Sequence, residues 1–130
     1  MPVPQRLESG KRLADDDVLN GIFATPQWQT TTGLVAKAGG GRTGAPVLNL
    51  GSNEIITVAS ASDSVVLPSA VPGSVVFVVN AAAVNAMQVF AAGSDTINGT
   101  AGATGVSQAA GKSAIYVVSD LAKWYRLLSA

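Results

Sequence analysis

In the second half of the chain, β-branched and aromatic residues come in short runs parted by small or turn-forming residues. Ser64-Val-Val-Leu-Pro68 is followed by Gly73-Ser-Val-Val-Phe-Val-Val-Asn80, Met87-Gln-Val-Phe90, Ser113-Ala-Ile-Tyr-Val-Val118 and Lys123-Trp-Tyr-Arg-Leu-Leu128. Val, Ile, Phe, Tyr and Trp suit a pleated, half-buried surface, and Gly, Pro, Asn and Asp interrupt it, so this rhythm predicts antiparallel β-structure. Upstream, Leu34 to Lys37, Val47 to Leu50 and Glu54 to Val58 read as further strands, and Val106 to Ala109 as a weak one. Ala59 to Asp63, Pro72-Gly73, Ala81 to Ala86 and Ala110-Gly111 supply turns. Asn98-Gly99 is the favoured pair for a tight hairpin. The expectation is all-β: about eight short strands in a Greek-key sandwich or barrel, jelly-roll-like, over residues 33–130.

Val75 to Val79 form an unbroken apolar row, so both faces of that strand must be covered. A sandwich covers one face. A helix, the N-terminal arm or a second subunit has to cover the other. Val76, Val78, Trp124 and Arg126 are therefore candidates for a subunit interface. Arg126 shares the Trp124 face of the last strand, where it can stack on its own domain or reach a partner's carboxylate.

Residues 1–32 read differently. Pro2 and Pro4 disfavour helix at the residue before each, which predicts an extended arm. Within it, Val18 with Ile22 and Leu19 with Phe23 are four apart and share a helical face. Asp15, Asp16 and Asp17 suit the positive end of that short helix, and they lack the alternate spacing of a calcium loop. Trp28 lies in a polar stretch, as an anchor of the arm on its own domain or as an interface anchor. Gly39 to Gly41 with Arg42 predict a mobile loop, since no helix follows to complete a phosphate cradle.

Composition sharpens the picture at a few points. The chain has 130 residues, enough for one domain with a real core. Charged residues are 12%, about half of the ~25% usual in soluble proteins. That shortage predicts that much of the surface faces other protein. Eight basic residues balance eight acidic ones, so no basic field for nucleic acid and no polybasic membrane anchor is expected. The apolar runs are broken by Asn80 and Asn85, short of the ~20 residues of a membrane span. Met1 to Arg6 lacks the apolar core of a signal peptide, so synthesis in a cytoplasm is expected.

Histidine and cysteine are absent. Serine or cysteine triads and the preferred zinc ligands are thereby excluded. Gly111-Lys112-Ser113 looks like the end of a P-loop, but the first glycine of that motif would fall at Val106, and Ser113 opens a strand. Glu8, Glu54, Asp63, Asp95 and Asp120 fall mostly at turns, where Asp bonds local backbone. No enzyme activity and no cofactor are expected.

The stretch from Asp63 to Ala130 resembles a β-domain recurrent in tailed-bacteriophage structural proteins. The blocks that carry the likeness are Asp63-Ser-Val-Val-Leu-Pro68, Pro72-Gly73-Ser74, Val79-Asn80-Ala81, Val89-Phe90, Asp95-Thr-Ile-Asn-Gly99, Ala110-Gly-Lys-Ser113 and Lys123-Trp-Tyr-Arg-Leu-Leu128. The short length and the arm are most similar to capsid decoration (cement) proteins. The resemblance implies a virion protein on the capsid exterior, made in the host cytoplasm. It implies binding to the major capsid protein across capsomer joints, as a homo-oligomer with a trimer favoured and a dimer possible. Candidate capsid contacts are Leu7, Arg12, Val18, Ile22, Phe23 and Trp28 in the arm, with Arg42. A head-fibre or tail-fibre module that binds a host receptor or carbohydrate is the alternative.

Overall fold

The structure, a computed structural model, describes residues 29–130. The expected helix and the candidates Leu7, Arg12, Val18, Ile22, Phe23 and Trp28 lie outside the described residues. The described chain is all-β, with ten strands and no helix. They are β1 (Thr30–Val35), β2 (Gly51–Thr57), β3 (Ser64–Val66), β4 (Val75–Asn80), β5 (Met87–Phe90), β6 (Thr96–Ile97), β7 (Thr100–Ala101), β8 (Val106–Gln108), β9 (Ser113–Asp120) and β10 (Lys123–Leu128). A seven-stranded sheet runs β1-β2-β4-β9-β10-β6-β7, and a three-stranded sheet runs β3-β5-β8.

Consecutive strands from β2 to β5 alternate between the two sheets. Each return to a sheet lays a strand parallel to the one before it, so β4 joins β2 and β5 joins β3. One coil runs from Gly51 to its neighbour Val76 in the large sheet, and from Ser64 to Gln88 in the small one. The parallel bridge between Val47 and Val66 extends the same stacking upstream. This is solenoid-like stacking, and it corrects the expected antiparallel Greek-key, jelly-roll-like sandwich. The ladders β1–β2, β2–β4, β3–β5 and β6–β10 are parallel. The physical reason lies in the turns: Ala59 to Asp63 and Pro72-Gly73 carry the chain from one sheet to the other, where hairpin turns would have reversed it within a sheet. Parallel strands need such a crossover, and here the other sheet's strand supplies it in place of a helix.

The C-terminal third adds antiparallel ladders beside the parallel pair β6–β10. β9 lies between β4 and β10, antiparallel to both. Asn98 and Gly99 hold φ of 50° and 82° between β6 and β7, the left-handed pair that a two-residue hairpin requires. Gly51 is likewise obligatory: its φ is 99°, and a Cβ there would run into the Gln29 carbonyl.

The core fills the space between the sheets, with Leu48, Ile55, Val65, Leu67, Val76, Val78, Met87, Val89, Ile97, Tyr116, Val118 and Trp124 buried. β4 explains its own row of valines. Val76 and Val78 point into this core with no exposure, while Val75, Phe77 and Val79 face outward and are half-buried. Val76, Val78 and Trp124 are therefore core residues of one subunit, which corrects their candidacy for a subunit interface. Each such side chain contributes roughly 1.5–3 kcal/mol through burial alone.

Candidate interaction surface

The outward face of the large sheet follows from strand alternation. Phe77 pairs with Ser52 on one side and Ile115 on the other. Val79 likewise sits between Glu54 and Ser113, and Val75 pairs with Val117. On β10, Tyr125 stands opposite Val117 and Leu127 opposite Ile115. The face is apolar at its centre. Ile115, Tyr125 and Leu127 are exposed on this face, Leu127 by 69%, and Leu128, on the Trp124 side of β10, is exposed at the end of the strand. Phe77, Val79, Ala114, Ile115, Leu127 and Leu128, with Ser113 and Ser129, line an open cleft of about 370 Å³. An apolar patch of this continuity makes this sheet face the candidate interaction surface of the described residues.

The remaining polar candidates serve the subunit itself. Arg42 donates Nη1 hydrogen bonds to the Ala91 and Gly93 carbonyls at 2.7 and 2.6 Å. That use ties the glycine loop to the turn after β5 and gives Arg42 a task within the fold. Arg126 shares the Trp124 side of β10 and donates to the Ser107 carbonyl at 2.7 Å. That bond bridges the two sheets at their open margin and gives Arg126 a task within its own domain. Burial pushes the hydroxyl of Tyr116 up to about 12, against the opposing pull of the Arg126 charge.

Sequence reading missed a set of buried polar struts. Gln108 donates Nε2 hydrogen bonds to the Val78 and Lys112 carbonyls at 3.0 and 2.9 Å, and its Oε1 accepts from the Tyr116 hydroxyl at 3.0 Å. Asn80 donates to the carbonyls of Asn85 and Gln108, and its Oδ1 accepts from the Ala82 N–H. Asn53 donates to the Asn49 carbonyl at 2.9 Å and to that of Phe77 at 3.2 Å, joining β2 to β4. All three are fully buried. The signal available in sequence was an amide inside or at the end of an apolar run, and turn formation explains that pattern equally well.

Asp63 belongs to the same class. Its carboxylate accepts from the N–H groups of Gly39, Ala59 and Ser60 and from the Ser60 hydroxyl, at 2.9–3.2 Å. Burial raises its pKa, but these bonds outweigh burial and hold it below 3.8. The sign follows from proton counting. Between that folded value and the unfolded value of 3.8 the unfolded chain binds more protons, so stability is lost as pH falls through this window. Asp63→Asn is expected to melt at a lower temperature than wild type at neutral pH. The gap should narrow on acidification below about pH 4. Thermal melts across that range check this, and a gap independent of pH would refute the role.

Among the described residues, no group of three or more His, Cys, Asp or Glu could hold a metal ion. No protein-family model matches the chain, and no match emerges among curated proteins or among solved structures.

Proposed function

We propose that this chain is a structural virion protein that binds the outside of a phage capsid and stabilises it across capsomer joints. The observation that carries the reading is a charge-poor β-body with an apolar outward sheet face, in a sequence whose blocks from Asp63 to Ala130 resemble those of decoration proteins. A body of this kind gains by lying against other protein. A ligand that binds only the assembled shell shifts the equilibrium toward that shell, and many copies multiply a modest contact. In this reading residues 1–28 contact the major capsid protein, the chain self-associates, and no catalytic step is involved. The fibre alternative draws less support, because among the described residues Tyr125 is the one exposed aromatic available to stack on a sugar.

The test adds purified protein to heads that lack it and measures occupancy by cryo-EM. Full-length chain is expected to decorate the heads and raise the temperature at which they release DNA. A chain without residues 1–28 should keep its β-sheet circular dichroism and lose decoration. Full occupancy by the truncated chain would remove the role assigned to the arm, and no decoration by the full-length chain would remove the function.

A further inference from the structure

We infer that the segment Val18 to Phe23 docks on its own body, across an apolar rim formed where β1, β2, β4 and β10 begin. The inference goes beyond the proposed function and needs no capsid. It leaves residues 1–17, with Leu7 and Arg12, for contacts outside the subunit.

The rim follows from register. Thr30 pairs with Ser52 and Gly51 with Val76, so β1, β2 and β4 start at one end of the large sheet. β9 runs antiparallel to β4, with Val117 opposite Val75, which brings the β9–β10 turn to the same end. The turn before β4 is tied there by the Gly73 N–H, which donates to the Val118 carbonyl at 2.8 Å. Each entry carries one large apolar side chain in water. Leu50 precedes β2, Val71 precedes β4 and Leu121 lies between β9 and β10, exposed by 51%, 58% and 69%. At about 4.8 Å between strands, the three make a row roughly 12 Å long. Single exposed apolar residues are ordinary, but a row at one rim is a surface.

The occupant follows from where the described residues begin. Gln29 enters at this rim, and its carbonyl accepts from the Ser52 N–H at 2.9 Å. The chain before it therefore starts beside Leu50. Phe23 lies six positions before Gln29, and six residues reach about 20 Å when extended. The β9–β10 turn lies beyond β2, β4 and β9 from β1, roughly 17 Å away at the usual strand spacing. The whole row is within reach of the segment. Its sequence suits the row, because Val18 with Ile22 and Leu19 with Phe23 are four apart and share one helical face. Six helical residues make a stripe roughly 8 Å long.

Area does not limit a contact within one chain. The short tether holds the segment at an effective concentration in the millimolar range. The freedom that a separate partner would lose is already gone. A row of three side chains is therefore enough, where a second protein would need a standard-sized interface.

Hydrogen-exchange mass spectrometry of the full chain tests the inference. The amides of residues 18–23 are expected to exchange roughly 10-fold or more slowly in wild type than in the double variant Val71→Glu, Leu121→Glu, which sets two carboxylates on the rim. Val84→Glu changes a side chain 81% exposed in the loop after β4, at the other end of the strands, and should leave the wild-type rates in place. The amides of β4 and β9, read in the same spectra, report that each variant is folded. Equal rates at residues 18–23 in wild type and the double variant would overturn the inference. So would slow exchange that is lost on dilution, which would give the rim to a second copy, or that is lost in Val84→Glu. No capsid is present, so failure here is distinguishable from failure of the proposed function.

Discussion

Gln108→Leu is expected to cost roughly 3–6 kcal/mol, from the loss of several buried hydrogen bonds at about 1–3 kcal/mol for each group left unsatisfied. Gln108 is fully buried and holds three partners at once: the Val78 carbonyl of β4, the Lys112 carbonyl before β9, and the Tyr116 hydroxyl. Leucine fills much of the volume but removes the donor to both carbonyls and the acceptor of the hydroxyl. Native domains are stable by about 5–15 kcal/mol, so a loss of this size is a large share of the whole. Urea unfolding measures it. The double variant Gln108→Leu, Tyr116→Phe should be more stable than Gln108→Leu alone, because the stranded hydroxyl goes too. A double variant as unstable as the sum of the two singles would show that the hydroxyl and the amide act independently.

Trp124→Ala should cost about 3–5 kcal/mol, the range for removing a large aromatic side chain from a core. Trp124 has no exposure and sits on β10 between Val118 of β9 and Ile97 of β6. Its Nε1 is buried without a hydrogen-bond partner. Trp124→Phe therefore separates two contributions. It removes an unsatisfied donor, which is favourable, and leaves a smaller void than alanine does. We expect Trp124→Phe to cost under half of what Trp124→Ala costs, measured in the same denaturant series. Equal losses would mean that the indole N–H is satisfied in the folded protein.

Strand positions were legible where β-branched runs met turn residues. Met87 to Phe90 and Lys123 to Leu128 fall on β5 and β10 at both ends. The Asn98-Gly99 hairpin was legible too, because a two-residue turn is fixed by local backbone chemistry. Pairing was not. Whether a chain reverses within a sheet or crosses to the next depends on which partner it meets, and neither Pro72-Gly73 nor Asp63 encodes that locally. Val47 to Leu50 read as a strand yet makes a single bridge, since Val47 alone pairs with Val66. The surface was half legible. Five apolar residues in a row give β4 an apolar face on both sides, one in the core and the other half-buried. Choosing Val76 and Val78 as the outer pair was wrong, because alternation leaves the parity of a uniform run undetermined. Asn80 holds the key to that parity: it closes the strand on the buried face, where its amide is spoken for by Asn85, Gln108 and Ala82.

An inner strand of the large sheet, β4, has a neighbour that is synthesised much later. β4 is complete at Asn80, but β9, which closes its free side, begins at Ser113. At about 5–20 residues per second, a ribosome needs roughly 2–7 s to supply that neighbour. Throughout the delay Val75 to Asn80 presents an uncharged open edge of the kind that recruits other nascent chains. Translation speed is therefore expected to affect how much of the chain folds. Slower growth temperatures lengthen the vulnerable interval, and the yield of soluble product should depend on how many ribosomes crowd one message.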